Sequence, residues 1–300
     1  MAQAAVVTKQ ESSLALPRIR EILVRWMGVV PFFLFAFLFL LLPSSSLFID
    51  SFQDAQGNFT LANLGGLFEE PIRSGYILSI SISATTALIG GLFGFLIAYA
   101  VTLGGVPRWV RSTYVTFCGV ASNFAGVPLA FAFVAVLGRT GSITALFKAL
   151  GINIYDDWGF NLYSFWGLTL VYLFFQFPLM ILVMMPSLEG LKREWREAAA
   201  NLGASNFEYW RRVALPILLP ALLGTMILLF GNAFGAYATA FALTGGRLNL
   251  VPIQIGAQIR GDVLHNPNLG FAMALGMVII MLVSIVGYTI LQRQTEKWLR

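Results

Sequence analysis

Residues 186–216 read PSLEGLKREWREAAANLGASNFEYWRRVALP, and this stretch sets the frame for everything around it. It holds nine charged residues: Glu189, Lys192, Arg193, Glu194, Arg196, Glu197, Glu208, Arg211 and Arg212. Local rules divide it into two short helices. Glu194 to Leu202 is built from good helix formers. Gly203 can take the left-handed conformation that closes a helix. Ser205 stands three residues before Glu208, the spacing of a capping box that opens a second helix. That helix is expected to run through Phe207, Tyr209 and Trp210 into Leu215. Pro216 would then open an apolar helix at a first-turn position, where its missing N–H costs little.

Outward from this charged island the chain is apolar. Of its 300 residues, 58% are hydrophobic and only 11% charged. Soluble domains carry about a quarter charged residues, so lipid is the expected solvent. A spanning helix needs roughly 20 apolar residues. Six segments qualify, at about 26–48 (through Phe32 to Leu42), 77–103, 113–137, 163–185, 217–243 and 269–291. None contains Asp, Glu, Lys or Arg. The basic residues before the first segment would suit a cleaved signal. Its long apolar stretch and the five later spans favour a retained helix instead. The expected architecture is an all-α, six-span membrane protein. Residues 1–20 form a loose polar segment, and residues 21–300 form one transmembrane domain.

Lys and Arg accumulate in cytoplasmic loops. With six spans, both termini and the loops 2–3 and 4–5 share one side. That side carries Lys9, Arg18, Arg20, Arg25, Arg108, Arg111, Lys192, Arg193, Arg196, Arg211, Arg212, Arg293, Lys297 and Arg300. The other carries Arg73, Arg139, Lys148, Arg247 and Arg260, beside Asp50, Asp54, Glu69, Glu70, Asp156, Asp157 and Asp262. The expectation is that both termini and the 186–216 loop are cytoplasmic. The net charge of +5 thus reads as membrane orientation and not as nucleic-acid binding.

Several chemistries are excluded. The single Cys118 permits neither an internal disulfide nor a cysteine-rich metal site. The single His265 excludes an HExxH zinc site; beside Asn266 and Pro267 it reads as a turn residue. Lys9, Lys148, Lys192 and Lys297 do not follow glycine, so no standard P-loop is possible. Glycines four apart, Gly90 with Gly94 and Gly231 with Gly235, suggest close helix packing.

Two readings of the charged loop follow from its residues alone. It could be an interfacial hairpin whose arginines meet anionic lipid. It could equally be a protein-docking element, with Ala198, Ala199 and Ala200 slim enough for close approach. A resemblance decides between them. Glu197-Ala198-Ala199, three residues, Gly203, nine residues, Val213, one residue, then Leu215-Pro216 resembles the EAA loop of binding-protein-dependent ABC importer permeases. The loop also sits two spans from the C-terminus, as in that family. The six-span layout extends the likeness over roughly residues 20–295.

The resemblance implies a type I, MetI-like permease fold in a bacterial inner membrane. It implies that Glu197, Ala198, Ala199, Gly203, Ala204, Ser205, Leu215 and Pro216 couple to an ATPase, with Ser205 to Arg212 as the flanking helix. The implied partners are two cytoplasmic ATP-binding subunits, which hold the ATP and Mg, a second and related permease chain, and an extracytoplasmic substrate-binding protein. The chain itself would bind no cofactor and would not be an enzyme. Phe59-Thr60-Leu61-Ala62-Asn63 and the stretch from Leu137-Gly138 to Gly151 are most similar to the polyamine (spermidine/putrescine) subgroup. Iron(III), thiamine, sulfate and phosphonate systems are the alternatives within the family.

Asn123, Gln176, Asn232, Tyr237 and Thr239 are the polar candidates for the substrate path, and each could instead make an interhelical hydrogen bond. No carboxylate in the spans favours a polycation. A secondary transporter or channel is the main rival. It usually needs an ionisable residue in the membrane, and none is present. A membrane enzyme lacks its catalytic cluster, and an exporter lacks its long cytoplasmic extensions.

Overall fold

The computed structural model describes residues 27–261 and 265–299. The expected loose segment 1–20, and Asp262 on the opposite side, lie outside the described residues. Among those residues the regular secondary structure is helical, apart from one β-bridge between Gln53 and Phe59.

Helix α1 spans Val30–Ser51 and α2 spans Ala62–Gly66. Helix α3 is Glu70–Leu103, α4 is Arg108–Ala121, α5 is Gly126–Leu137 and α6 is Ser142–Ala149. Helix α7 is Phe165–Glu189, α8 is Arg193–Asn201 and α9 is Asn206–Phe234. Helix α10 is Tyr237–Thr244, α11 is Val251–Arg260 and α12 is Pro267–Leu299. Six helical stretches among the described residues are long and apolar enough to cross a membrane.

The core is α3 against α7, with α9 laid across both. Between lipid-facing helices there is little hydrophobic drive, so small residues and close packing hold the bundle. Gly90 and Gly94 of α3 meet Gln176 and Met180 of α7, and Gly91 meets Met226 of α9. The Gly90/Gly94 spacing is therefore a packing face. Gly231 meets Met281 of α12, whereas Gly235 meets only its own helix and terminates it. One buried cluster, around Val171, Tyr172 and Phe175 of α7, joins α5, α9 and α10; a second, around Met180, Met184 and Leu188, joins α3, α7 and α9. Helix α1 contacts α12 and has no buried residue across its central window.

Two expected spans are broken. The third span, read as 113–137, is split at residues 122–125 into α4 and α5, and the stretch long and apolar enough to cross a membrane there runs Gly126–Ala149, through α5 and α6. The fifth, read as 217–243, ends at Phe234, and α10 begins after Gly235 and Ala236. The fourth span runs through Pro186 to Glu189, so the loop starts at residue 190 and not at 186.

Backbone groups freed inside a membrane must find partners in the protein. Here they do. The Gly126 N–H, at the start of α5, donates to Thr239 Oγ1 of α10 at 2.7 Å. The Tyr172 hydroxyl of α7 donates to the Ala236 carbonyl in the second break at 2.8 Å. The two breaks thus meet each other and are braced by α7. The segment between the last two spans, expected to be loop, contains α11. It lies against the start of α3: the Val251 N–H donates to Ser79 Oγ at 3.0 Å, and Gln254 Nε2 donates to the Pro71 carbonyl at 2.7 Å.

Candidate functional site: the 190–216 hairpin and the polar groups of the spans

The hairpin begins one residue after α7 ends. Helix α8 covers the expected first helix, with Glu194 in its first turn. Gly203 has φ +80°, the left-handed conformation, and nothing stands within 4 Å of where its Cβ would be. The Ala204 N–H donates to the Ala199 carbonyl at 3.0 Å and the Gly203 N–H to Ala200 at 2.9 Å. These bonds close the helix in the manner of a glycine C-cap.

The capping box forms in full. The Glu208 N–H donates to Ser205 Oγ at 3.3 Å, and the Ser205 N–H donates to Glu208 Oε2 at 3.0 Å. Caps of this kind contribute about 0.5–2 kcal/mol. The Glu208 carboxyl is held below its ordinary pKa by the bond from the Ser205 backbone first, then by the Ser205 side chain and the nearby Arg212.

The second helix departs from expectation. It does not end at Leu215 before a fresh helix opens at Pro216. Helix α9 instead runs without interruption from Asn206 into the membrane, through a π-helical turn at Trp210–Ala214. Proline inside a helix lacks an N–H and crowds the preceding turn. The wider turn, with the Leu215 N–H bonded to Trp210 O, relieves that crowding just before Pro216. The consequence is mechanical: residues 206–212 and the fifth span form one lever.

The aromatics divide by role. Tyr209 is buried, and Trp210 makes an edge contact with Tyr99 of α3, centroids 5.0 Å apart. They root the hairpin in the bundle. Phe207 and Leu202 remain 72% and 88% exposed at the tip. Ala198 and Ala200 are exposed, while Ala199 and Ala204 are half-buried; Leu215 is exposed and Pro216 half-buried. Glu197 pairs with Arg193 at 2.9 Å on the surface of α8. Its contact within the chain is therefore local.

At the root, Arg111 of α4 forms an ion pair with Glu189, the last residue of α7. Both side chains are partly exposed, so the pair should contribute only about 0.2–1 kcal/mol. Arg111→Glu and Glu189→Arg should each lower Tm by a small amount, and the double reversal should recover most of it. Additive losses in that cycle would show that the pair does not tie α4 to the hairpin root.

The five polar candidates separate cleanly. Gln176 is fully buried and its Nε2 donates to the Leu229 carbonyl of α9 at 2.8 Å, leaving Oε1 without a partner. Thr239 is buried at the junction of the two breaks. Asn123 lies exposed in the first break, where Nδ2 donates to Gly119 O at 2.9 Å. Asn232 is exposed, and its side chain makes no hydrogen bond among the described residues. Tyr237 lies half-buried in the first turn of α10, beside a cavity between α10, α11 and α12. These groups are not gathered into one site.

On the face away from the hairpin, the loop after α1 is held by hydrogen bonds and a ring stack. Asp54 accepts bonds from the backbone N–H groups of Gln56 and Asn58, and Phe52 stacks on Phe59. Asn63 and Asn268 both donate to the Gln53 carbonyl, tying the loop to α12. Bonds to Asn58 above all hold the Asp54 carboxyl below its usual range. A depressed carboxyl pKa adds stability above the unfolded value and loses it as pH falls through the folded one. The loop should therefore open to proteolysis only in acid below about pH 4, and Asp54→Ala should be cleaved already at neutral pH. Equal protease resistance of the two proteins at pH 7 would remove Asp54 from that role.

A family model described as "Binding-protein-dependent transport system inner membrane component" matches residues 17–300. The chain is 28% identical over 209 residues to a probable sulfate transport system permease protein cysT of Nephroselmis olivacea, covering 69% of this chain and 68% of that one. It is 23% identical over 268 residues to the sulfate transport system permease protein CysW of Synechococcus elongatus, covering 88% of each. To the CysT protein of Salmonella typhimurium it is 28% identical over 215 residues, 71% of this chain and 72% of that one. Among solved structures it is similar to a bacterial ABC transporter involved in the import of alginate, with a TM-score of 0.72, 15% identity and coverage of 92% and 97%. It also resembles an inward-facing MetNI methionine ABC transporter, with a TM-score of 0.51, 17% identity and coverage of 76% and 99%. At these identities the structural likenesses establish the all-helical fold.

Proposed function

The chain belongs to the family of binding-protein-dependent transport system inner membrane components, and from that premise we propose that it serves an importer of sulfate or a closely similar oxyanion. It is a multi-pass inner-membrane permease of an ATP-binding-cassette importer, not itself an enzyme. The observation that carries the substrate is its similarity to relatives named as sulfate permeases over 69–88% of its length. This favours the sulfate alternative over the polyamine expectation. The absence of any carboxylate within the apolar segments agrees with it, since a polycation would be helped by such groups.

The hairpin is the coupling element in this reading. Glu197, Ala198, Ala199, Gly203, Ala204 and Ser205 form its helix–turn–helix, and Leu215 and Pro216 mark where it enters the membrane. Exposed Leu202 and Phe207 at the tip would enter a groove on a cytoplasmic ATPase subunit. The uninterrupted α9 then carries that subunit's movement into the fifth span and to the break at Gly235. Orientation by positive charge puts the hairpin and both termini in the cytoplasm. Two ATP-binding subunits, which hold ATP and Mg, would dock there. A substrate-binding protein would approach the loop around Asp54 from outside. Relatives under two permease names, CysT and CysW, support pairing with an unlike second permease.

The test is uptake. Cells lacking this chain should lose ATP-dependent accumulation of radiolabelled sulfate and regain it on complementation, and the tagged chain should co-purify with an ATPase. If deletion spares sulfate uptake and abolishes spermidine uptake, the substrate assignment fails while the importer stands.

A further inference from the structure

The basic residues on the face away from the hairpin are unusual, because positive charge avoids that side in membrane proteins of this kind. Three of them have partners. Arg73 pairs with Glu70 at 2.8 Å, Arg139 lies 5.0 Å from the Tyr155 ring, and Arg247 lies 5.4 Å from the Tyr163 ring. Lys148 sits in the last turn of α6, where it complements the helix dipole. Arg260 occupies the same kind of position on α11, so the dipole accounts for part of its placement. Like Lys148, Arg260 has neither a carboxylate nor an aromatic partner among the described residues, and in addition it lines a cavity.

That cavity, open on one side, measures about 300 Å³ and is bounded by Gly235, Tyr237, Pro252, Gly256, Arg260 and Met277, among others. The volume stands at the lower end of the roughly 300–1,000 Å³ range of ligand sites. Pro252, Gly256 and Arg260 are four apart on α11 and so share one face. Tyr237 packs against Gly256 so closely that a Cβ there would stand 3.1 Å from its ring and 3.2 Å from its hydroxyl. The glycine lets the ring rest on the face of α11 that carries Arg260 one turn away. The Tyr237 hydroxyl has no hydrogen-bond partner among the described residues. The cavity wall also includes Gly235, the residue at which the fifth span breaks. No Asp or Glu among the described residues lines it.

We propose that Arg260 and Tyr237 form an anion-binding station at the break in the fifth span, taking a tetrahedral oxyanion as it passes. The inference rests on the reading of the chain as an oxyanion importer and names residues of its path. A guanidinium offers forked donors that suit an oxyanion, and the phenol adds a neutral one. A cation with no carboxylate partner among the described residues can hold a solute and still release it. The same chemistry would suit the phosphate of a lipid headgroup, so the test separates a transported solute from a lipid.

The probe is Arg260→Cys in the transporter reconstituted with its co-purifying subunits. The native Cys118 is fully buried and should not react. The variant should keep ATP hydrolysis but take up sulfate about tenfold more slowly below saturation, the loss of one charged hydrogen-bonding group. Trimethylammonioethyl methanethiosulfonate should restore uptake: the thiolate attacks its sulfenyl sulfur, a disulfide forms, methanesulfinate leaves, and a positive charge returns. The negatively charged sulfonatoethyl reagent should not restore it. External sulfate should slow the labelling, and chloride of equal ionic strength should not. Tyr237→Phe, which keeps the ring on Gly256, should lose about threefold in uptake at low sulfate.

Uptake by Arg260→Cys equal to the wild type, or equal effects of the two reagents, overturns the station. Labelling that no oxyanion slows assigns the site to lipid and overturns it too. If the wild type takes up no sulfate, the substrate reading fails separately. Protection of the Arg260→Cys thiol by phosphate or molybdate would then still sustain the station, and protection by neither would remove it.

Discussion

Gly203→Val should reduce coupled uptake about tenfold or more while the complex still assembles and hydrolyses ATP. The reasoning is torsional. Gly203 sits at φ +80° with nothing within 4 Å of its missing Cβ. A Cβ there meets no neighbour, so the cost lies chiefly in the left-handed backbone. That cost is about 1–2 kcal/mol for an ordinary L-residue, corresponding to a five- to thirtyfold loss of the correct turn, and a β-branched side chain makes it worse. The turn holds α8 against the capping box of α9, so a fraying turn separates the tip from the lever behind it. Asn, which tolerates this conformation, should retain most of the uptake, and Ala should fall between. The measurement is sulfate uptake per ATP hydrolysed in proteoliposomes. If Gly203→Val retains the wild-type ratio, the hairpin geometry is not what couples the two events.

Much of this hairpin was legible in sequence because its signals are local. A capping box, a helix-closing glycine and a run of helix formers need only a few neighbours to act. The join at Pro216 was misread for the same reason. Locally, proline after Leu215 signals a helix start, and only the π-turn at Trp210–Ala214 shows that the helix passes through it. The six apolar stretches were equally readable, yet hydropathy is blind to where an apolar run breaks. Residues 113–137 and 217–243 stay apolar across both breaks, with no charge to mark them. Length carries no signal, since the equally long run 77–103 stays one helix; composition carries one, since Gly126 precedes Pro128 and Gly235 follows Gly231. Helix α11 was missed because its ten residues are too few for a span. Its stability comes from bonds to α3 about 170 residues earlier, which no local pattern encodes.

The polar candidates teach a related lesson. Gln176 and Thr239 stand out in sequence by polarity in apolar surroundings, and the structure gives each a backbone partner across helices. In lipid, a buried amide or hydroxyl is first a means of satisfying a neighbouring helix. Arg260 went unselected because it read as a loop charge, and only the fold sets it beside Tyr237.

The bundle itself makes the second large prediction, because its centre depends on one close approach. Gly94→Val should prevent a stable fold in detergent or lower its Tm by many degrees. A Cβ at this position would lie 2.7 Å from Met180 Cβ and 2.8 Å from its Cγ, with the Phe177 carbonyl at 3.5 Å. Met180 is fully buried, and its Cβ is fixed to the backbone of α7, so it cannot swing away. Helices α3 and α7 would have to move apart along the most extensive helix–helix interface among the described residues. Overpacking of this sort costs about 1–3 kcal/mol for single groups in yielding cores, and valine adds two more methyls where the backbone itself must shift. Gly91→Ala should be milder although its Cβ would stand 2.8 Å from Met226 Cγ, because that neighbour is the flexible part of a side chain. Gly90→Ala, at 3.1 Å from Gln176 Cβ, which is likewise fixed to the backbone of α7 but needs to give only a few tenths of an ångström, should also be milder than Gly94→Val. Gly119→Ala and Gly287→Ala, where nothing lies within 4 Å, should be neutral or slightly stabilising through better helix propensity. Thermal unfolding in one detergent ranks all five. If Gly94→Val melts with Gly119→Ala, the α3–α7 contact is not the close seam described here, and the rigid frame that steadies the two helix breaks would have to be sought elsewhere.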